Sequence, residues 1–223
     1  MQLIEYPDAE MMMIDLANSL AGELENCLLK HDHASFAVPG GTTPGPIFDS
    51  LCAANLDWSR VHVTLTDERW VPPDHPRSNT RLVRERLLTD RAAAATMIPL
   101  YKEAEAPEDV LEDLEAGFAE ELPISVMLLG MGADMHTASL FPGADKLGEA
   151  LRTDRILLPM RAPGAEEPRI TLTAQVLKGA MSRHIVITGD EKRTALEKAR
   201  GLSPEEAPVA AVLPGATVHW ARD

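Results

Sequence analysis

The chain has 223 residues, 45% of them hydrophobic and 25% charged, with a formal net charge of −14. That length suits one α/β domain over residues 1–223. The acidity excludes nucleic acid as a partner, which needs a basic surface, and disfavours an anionic membrane. Residues 8–30 set Met12, Leu16, Leu20, Leu24 and Leu28 at the spacing of an amphipathic helix. Residues 35–38 form a short apolar strand that runs into Pro39-Gly40-Gly41; Thr42 or Thr43 can cap the next helix, with Pro44 near its first turn. Residues 61–66 alternate like a strand and stop at Asp67, and a helix is expected over 79–88. An acidic amphipathic helix is expected over 107–121. Residues 124–129 are a continuous apolar run closed by Gly130-Met131-Gly132, as in a strand buried on both faces. Later strands are expected at 155–159, 184–188 and 209–213, with helices near 171–178 and 190–200. Strands alternating with helices predict a doubly wound, mostly parallel sheet with helices on both faces.

Aromatic residues are only 4% of the chain, so Leu, Val, Ile, Ala and Met must fill the core. Cys27 and Cys52 lie in apolar helical patterns and read as two buried free thiols, not a disulfide or a zinc site. The N-terminal stretch has no basic region of a secretion signal and no apolar run reaches membrane-span length, so a cytoplasmic protein is expected.

Ligands of such sheets bind beyond the carboxyl ends of the strands. Five segments there carry unusual chemistry. Gly40 and Gly41 let the backbone approach a ligand, and Thr42, Thr43 and the helix start behind them offer donors to an anion. A plain strand-to-helix turn would use the same residues. Asp67-Glu68-Arg69, with Arg77-Ser78-Asn79 downstream, could grip sugar hydroxyls with the carboxylates and an anion with Arg69; a structural ion pair plus a helix cap formed by Ser78 or Asn79 would use the same residues, and Glu68 and Ser78 read better that way. His136 stands two residues after Asp134 on a glycine-rich loop and is the candidate general acid/base, with Asp134 orienting it or binding substrate. The other histidines (His31, His33, His62, His75, His184 and His219) read as surface or edge residues. Arg169, entering a helix capped by Thr171 or Thr173, could bind phosphate through its guanidinium fork, although on spacing alone it reads as a surface arginine. Lys192 falls in the first turn of a helix, where the dipole disfavours a cation, which hints at a bound anion. No cluster has metal-ligand spacing, and neither a metal nor a cofactor is expected.

Together these segments resemble the 6-phosphogluconolactonase family. The carrying motifs are PGGTTP at 39–44, TDERWVP at 66–72 with RSN at 77–79, GMGADMHTASLFPG at 130–143, RITLT at 169–173 and GDEK at 189–192. The resemblance implies a fold shared with glucosamine-6-phosphate deaminases and hydrolysis of 6-phospho-D-glucono-1,5-lactone to 6-phospho-D-gluconate in the oxidative pentose phosphate pathway. It implies His136 as catalytic acid/base, the Gly40-Gly41-Thr42-Thr43 turn, Arg169 and Lys192 as the phosphate grip, and Asp67 and Arg69 lining the sugar site. The partner is then a small phosphorylated sugar lactone; monomer and homodimer are both open. Pro39 and Thr42 replace serines usual in the family, and Met135 replaces a glycine, putting a side chain where positive φ is not easily adopted. Two alternatives stand beside this reading. A deaminase-like isomerase is disfavoured because residues 139–142 (SLFP) lack the carboxylate that chemistry uses. A catalytically silent sugar-phosphate binder is disfavoured by the retained Asp134 and His136.

Overall fold

The computed structural model describes residues 1–222. In chain order the elements are β1 (Gln2–Tyr6), α1 (Ala9–Leu28), β2 (Ala34–Val38), α2 (Gly45–Leu51), β3 (Val61–Leu65), β4 (Asp67–Arg69), α3 (Asn79–Arg86), β5 (Thr96–Met97) and α4 (Leu111–Ala116). They continue with β6 (Val126–Gly130), α5 (Leu147–Ala150), β7 (Leu157–Met160), β8 (Arg169–Leu172), α6 (Ala174–Gly179), β9 (Ser182–Thr188), α7 (Asp190–Ala199) and β10 (Thr217–Ala221).

Seven strands form one sheet in the order β1-β10-β9-β6-β2-β3-β5, and every pairing in it is parallel. The order reverses between β2 and β6. From β2 the chain moves outward to β3 and β5; from β6 it moves the other way to β9 and β10. Right-handed crossovers running in opposite directions put their helices on opposite faces of the sheet. Accordingly α1 and α2, which serve the first direction, pack against each other. The loops after β2 and β6 part at this switch point and open a crevice at the carboxyl ends of the strands. β2 is buried at all five positions, and Val126–Leu129 of β6 are buried too, as continuous apolar runs in a covered parallel sheet must be.

A second, antiparallel sheet, β4-β8-β7, stands over those ends. Thr66 stitches the sheets together: its N–H donates to the Val38 carbonyl (2.9 Å), and its carbonyl accepts from the Leu172 N–H (2.9 Å). Among the described residues no helix is long and apolar enough to cross a membrane.

Several expectations are corrected. Residues 209–213 are no strand: Pro208–Ala211 is a 3-10 turn, with Val209, Val212 and Leu213 buried at helical spacing, and the final strand lies at Thr217–Ala221. The expected helix from 171 begins only at Ala174, with Thr173 as its N-cap residue but without a side-chain bond; the β-branched run through Arg169–Leu172 is strand β8. The helix expected over 107–121 reduces to a 3-10 turn, Pro107–Val110, and α4, which Gly117 ends. Neither Thr42 nor Thr43 caps α2; Pro44 occupies that position, and the Thr42 carbonyl accepts from Gly45 N–H. Cys52 is buried, but Cys27 is partly exposed. His184 and His219 are buried on neighbouring strands β9 and β10, not at the surface. His219 Nε2 and His184 Nδ1 lie 2.9 Å apart, with Glu23 at the far side of His184 (3.0 Å) and Tyr6 beyond His219 (3.0 Å).

Candidate active site

The loop after β6 carries the histidine. Gly132 N–H donates to the His136 carbonyl (3.0 Å), and Met135 N–H donates back to Gly132 (2.9 Å), closing a tight loop. Within the closed loop Met135 sits at φ 67°, and Ala138 just beyond it at φ 49°, left-handed values that cost a side-chain-bearing residue about 1–2 kcal/mol each. Met135 therefore adopts the conformation that its side chain was expected to resist. A bond from Val209 N–H to its carbonyl (3.0 Å) helps to hold it there.

The loop brings His136 Nδ1 to 2.5 Å from Asp134 Oδ1, which also accepts from the His136 N–H (3.1 Å). The hydrogen bond from His136 holds Asp134 below the usual carboxylate range, with burial opposing it and electrostatic attraction to the imidazole adding to it. An ionised Asp134 fixes the proton of a neutral imidazole on Nδ1 and leaves Nε2 as the acceptor. Gly132 makes room for the pair, because a Cβ there would overlap His136 Nδ1 and lie 2.5 Å from Asp134 Oδ1. Phe141 packs against the imidazole, its ring tilted by 30° and the centroids 4.3 Å apart.

His136 lines a polar cavity of about 260 Å³ together with Gly40, Gly41, Thr42, Thr43, Asp67, Arg69, Arg169 and Lys192. Every residue nominated from the sequence is at this cavity except Asp134, which stands behind the imidazole. Gly41 sits at φ 89°, and a Cβ on Gly40 would overlap the Asn79 carboxamide, so both glycines are demanded by the turn.

Asp67 and Arg69 come from β4 and Arg169 from β8. The arginines are direct cross-strand partners, Arg69↔Arg169, so two cations sit side by side on one face. The Arg169 side chain is only 12% exposed, its carboxylate partner Asp67 stands 3.8 Å away, and its buried Nε has no hydrogen-bond partner. Burial lowers its pKa; Asp67 pulls the other way and Arg69 adds to the fall. Arg169 also lies over the Phe141 ring (5.5 Å). Asp67 is held by the Ser139 hydroxyl (2.5 Å). Lys192, in the first turn of α7, is half-buried and enters no ion pair among the described residues. Arranged so, the pocket is a cation-rich cradle beside an oriented imidazole. It can hold a phosphate-bearing ligand and move a proton at its other end.

Glu68 is fully buried and accepts from the backbone N–H groups of Arg69, Asn79 and Thr80 and from the hydroxyls of Ser78 and Thr80. It is a structural carboxylate at the start of α3. Ser78 caps that helix. Two contributors had no role assigned from the sequence, Ser139 and Phe141, and Asn79, read there with the helix cap, instead lines the cavity and donates to the Asp67 carbonyl (2.9 Å). The only signal for them was their place inside the RSN and HTASLFPG motifs.

Residues 7–220 match the profile of the family described as glucosamine-6-phosphate isomerases/6-phosphogluconolactonase. The chain belongs to this family. A member from Mesorhizobium japonicum named 6-phosphogluconolactonase is 42% identical over 223 residues, covering 97% of this chain and 93% of that protein. Another of that name, from Rhizobium meliloti, is 42% identical over 230 residues, covering 99% and 98%. A crystal structure of a 6-phosphogluconolactonase from Shewanella baltica superposes with a TM-score of 0.96 at 30% identity, covering 99% of this chain and 97% of that one.

Proposed function

We propose that this chain hydrolyses 6-phospho-D-glucono-1,5-lactone to 6-phospho-D-gluconate in the oxidative pentose phosphate pathway, with His136 as general acid/base. One observation carries the proposal. The Asp134-oriented imidazole opens onto the same cavity as Arg69, Arg169 and Lys192. The names of the relatives support the substrate.

The phosphate anchors in the cradle formed by Arg169, Lys192 and the Gly40-Gly41-Thr42-Thr43 turn, while Asp67 and Arg69 face the sugar. Anchoring converts the encounter of lactone and imidazole into a positioned one. His136 Nε2 accepts a proton from water as the water oxygen adds to C1. The tetrahedral intermediate then collapses, the bond from C1 to the ring oxygen breaks, and the imidazolium returns its proton to that oxygen. Asp134 keeps the imidazole in the required tautomer and stabilises its charged form. A lactone is already an activated ester, so no covalent intermediate is required.

The test is a coupled assay that follows 6-phosphogluconate formation from fresh lactone above the spontaneous rate. The wild-type chain accelerates it, and His136→Ala lowers kcat by about 10²–10⁴-fold. No acceleration by the wild type, or ammonia release from glucosamine 6-phosphate instead, would overturn the assignment.

A further inference from the structure

At the opposite end of the sheet, His33, His62 and Glu121 converge. His33 precedes β2, His62 lies near the start of β3, and Glu121 precedes β6, so strand order joins residues that are remote in sequence. Glu121 Oε1 is 2.8 Å from His62 Nδ1, and Glu121 Oε2 is 3.5 Å from His33 Nε2. The imidazoles stack with centroids 4.4 Å apart. The Glu121 side chain is 7% exposed, and its Oε2 is buried without a hydrogen-bond partner. A buried carboxylate oxygen without a partner is costly, and a cation placed beside it would compensate that cost.

We propose that His33, His62 and Glu121 form a divalent transition-metal site that takes zinc. One donor atom from each residue lies within 4.8 Å of the other two. Ligand atoms around a tetrahedral zinc stand roughly 3.3–3.5 Å apart, given bonds of about 2.0–2.1 Å, so small side-chain rotations suffice, with His33 Nε2 giving up its contact to the Glu120 carbonyl (3.1 Å). His33 and His62 are 30% and 27% exposed, which leaves them room to turn and lets water take the fourth position. Two nitrogens and one oxygen suit zinc, whereas calcium and magnesium demand more oxygen ligands. The ion would neutralise Glu121, give its second oxygen a partner, and clamp the amino ends of β2 and β3 to the segment entering β6.

The experiment uses the full chain, stripped with a chelator, dialysed and titrated with zinc chloride by calorimetry, with bound zinc counted by mass spectrometry. The expected result is a saturable equivalent that His136→Ala retains and His33→Ala weakens by about 100-fold or more, since even outer-sphere changes cost up to about that much. Retention in His136→Ala separates this site from the Asp134–His136 pair. His33 is partly exposed, so its variant folds; Glu121→Gln repeats the test at the carboxylate. Absence of a bound equivalent in the wild type, equal affinity in His33→Ala, or loss in His136→Ala would each overturn the proposal. The readout is metal content, so it stands apart from the lactone assay.

Discussion

Gly132→Ala tests whether the Asp134–His136 pair, and not the mere presence of a histidine, supports catalysis. The new Cβ would lie 2.5 Å from Asp134 Oδ1, about 0.9 Å inside the 3.4 Å at which ordinary Cβ contacts begin, and closer still to His136 Nδ1. Gly132 is not among the positive-φ glycines, so the backbone accepts alanine, and the clash falls on the two functional side chains. Both are partly exposed (32% and 53%), so they move apart at little cost to the fold. The imidazole is displaced by about 1 Å, a shift that costs about 10²-fold in rate. Steady-state kinetics in the coupled assay should give kcat lowered by about that factor, an almost unchanged KM because the phosphate cradle is untouched, and an unfolding midpoint close to that of the wild type. Near-normal kcat in a folded Gly132→Ala protein would mean that neither the loop closure nor the pairing matters to the reaction.

Arg169→Ala should raise KM by about 10–100-fold, the worth of a charged hydrogen bond, and abolish inhibition by free phosphate; unchanged kinetics would remove Arg169 from the grip. Met135→Gly should leave stability within about 1 kcal/mol of the wild type, whereas Met135→Val, β-branched at φ 67°, should cost about 1–2 kcal/mol in urea unfolding. The reverse order would contradict the left-handed conformation. Burial pushes His219 down to about 4, the charge of His184 assists, and Asp15 and Glu23 oppose. The unfolded chain takes up this proton below about pH 6.5 and the folded chain does not, so stability present at neutral pH is lost as pH falls from 6.5 towards 4, by about 3 kcal/mol. His219→Asn should flatten that part of the pH–stability curve measured by urea unfolding; an identical slope would refute the assignment.

The main parallel strands were legible because a strand covered on both faces shows as an unbroken apolar run, as Val126–Leu129 does. The edge strand Gln2–Tyr6 was not, since its burial pattern is mixed and it is short and polar. The small sheet escaped because its strands are stitched by contacts remote in sequence: Asp67 pairs with Thr171, and Arg169 reads as surface until it is set opposite Arg69. Asp134 and His136 were legible because they are neighbours in one loop. Ser139 as the donor to Asp67 required the tertiary structure, as did the burial of His184 and His219, whose neighbours are contributed by β9, β10, β1 and α1. Pro208 and the spacing of Val209, Val212 and Leu213 did favour a turn, but a short apolar run is ambiguous when read alone.

If Arg169 holds the phosphate as proposed, the ligand becomes a structural component of the second sheet, where Arg169 pairs with Arg69. Arg69 and Arg169 repel each other across β4 and β8, and on the proposed reading a phosphate held at Arg169 would offset that repulsion. On that reading phosphate affinity and the cohesion of this sheet are linked, and a bound phosphate would stiffen the wall that presents Asp67.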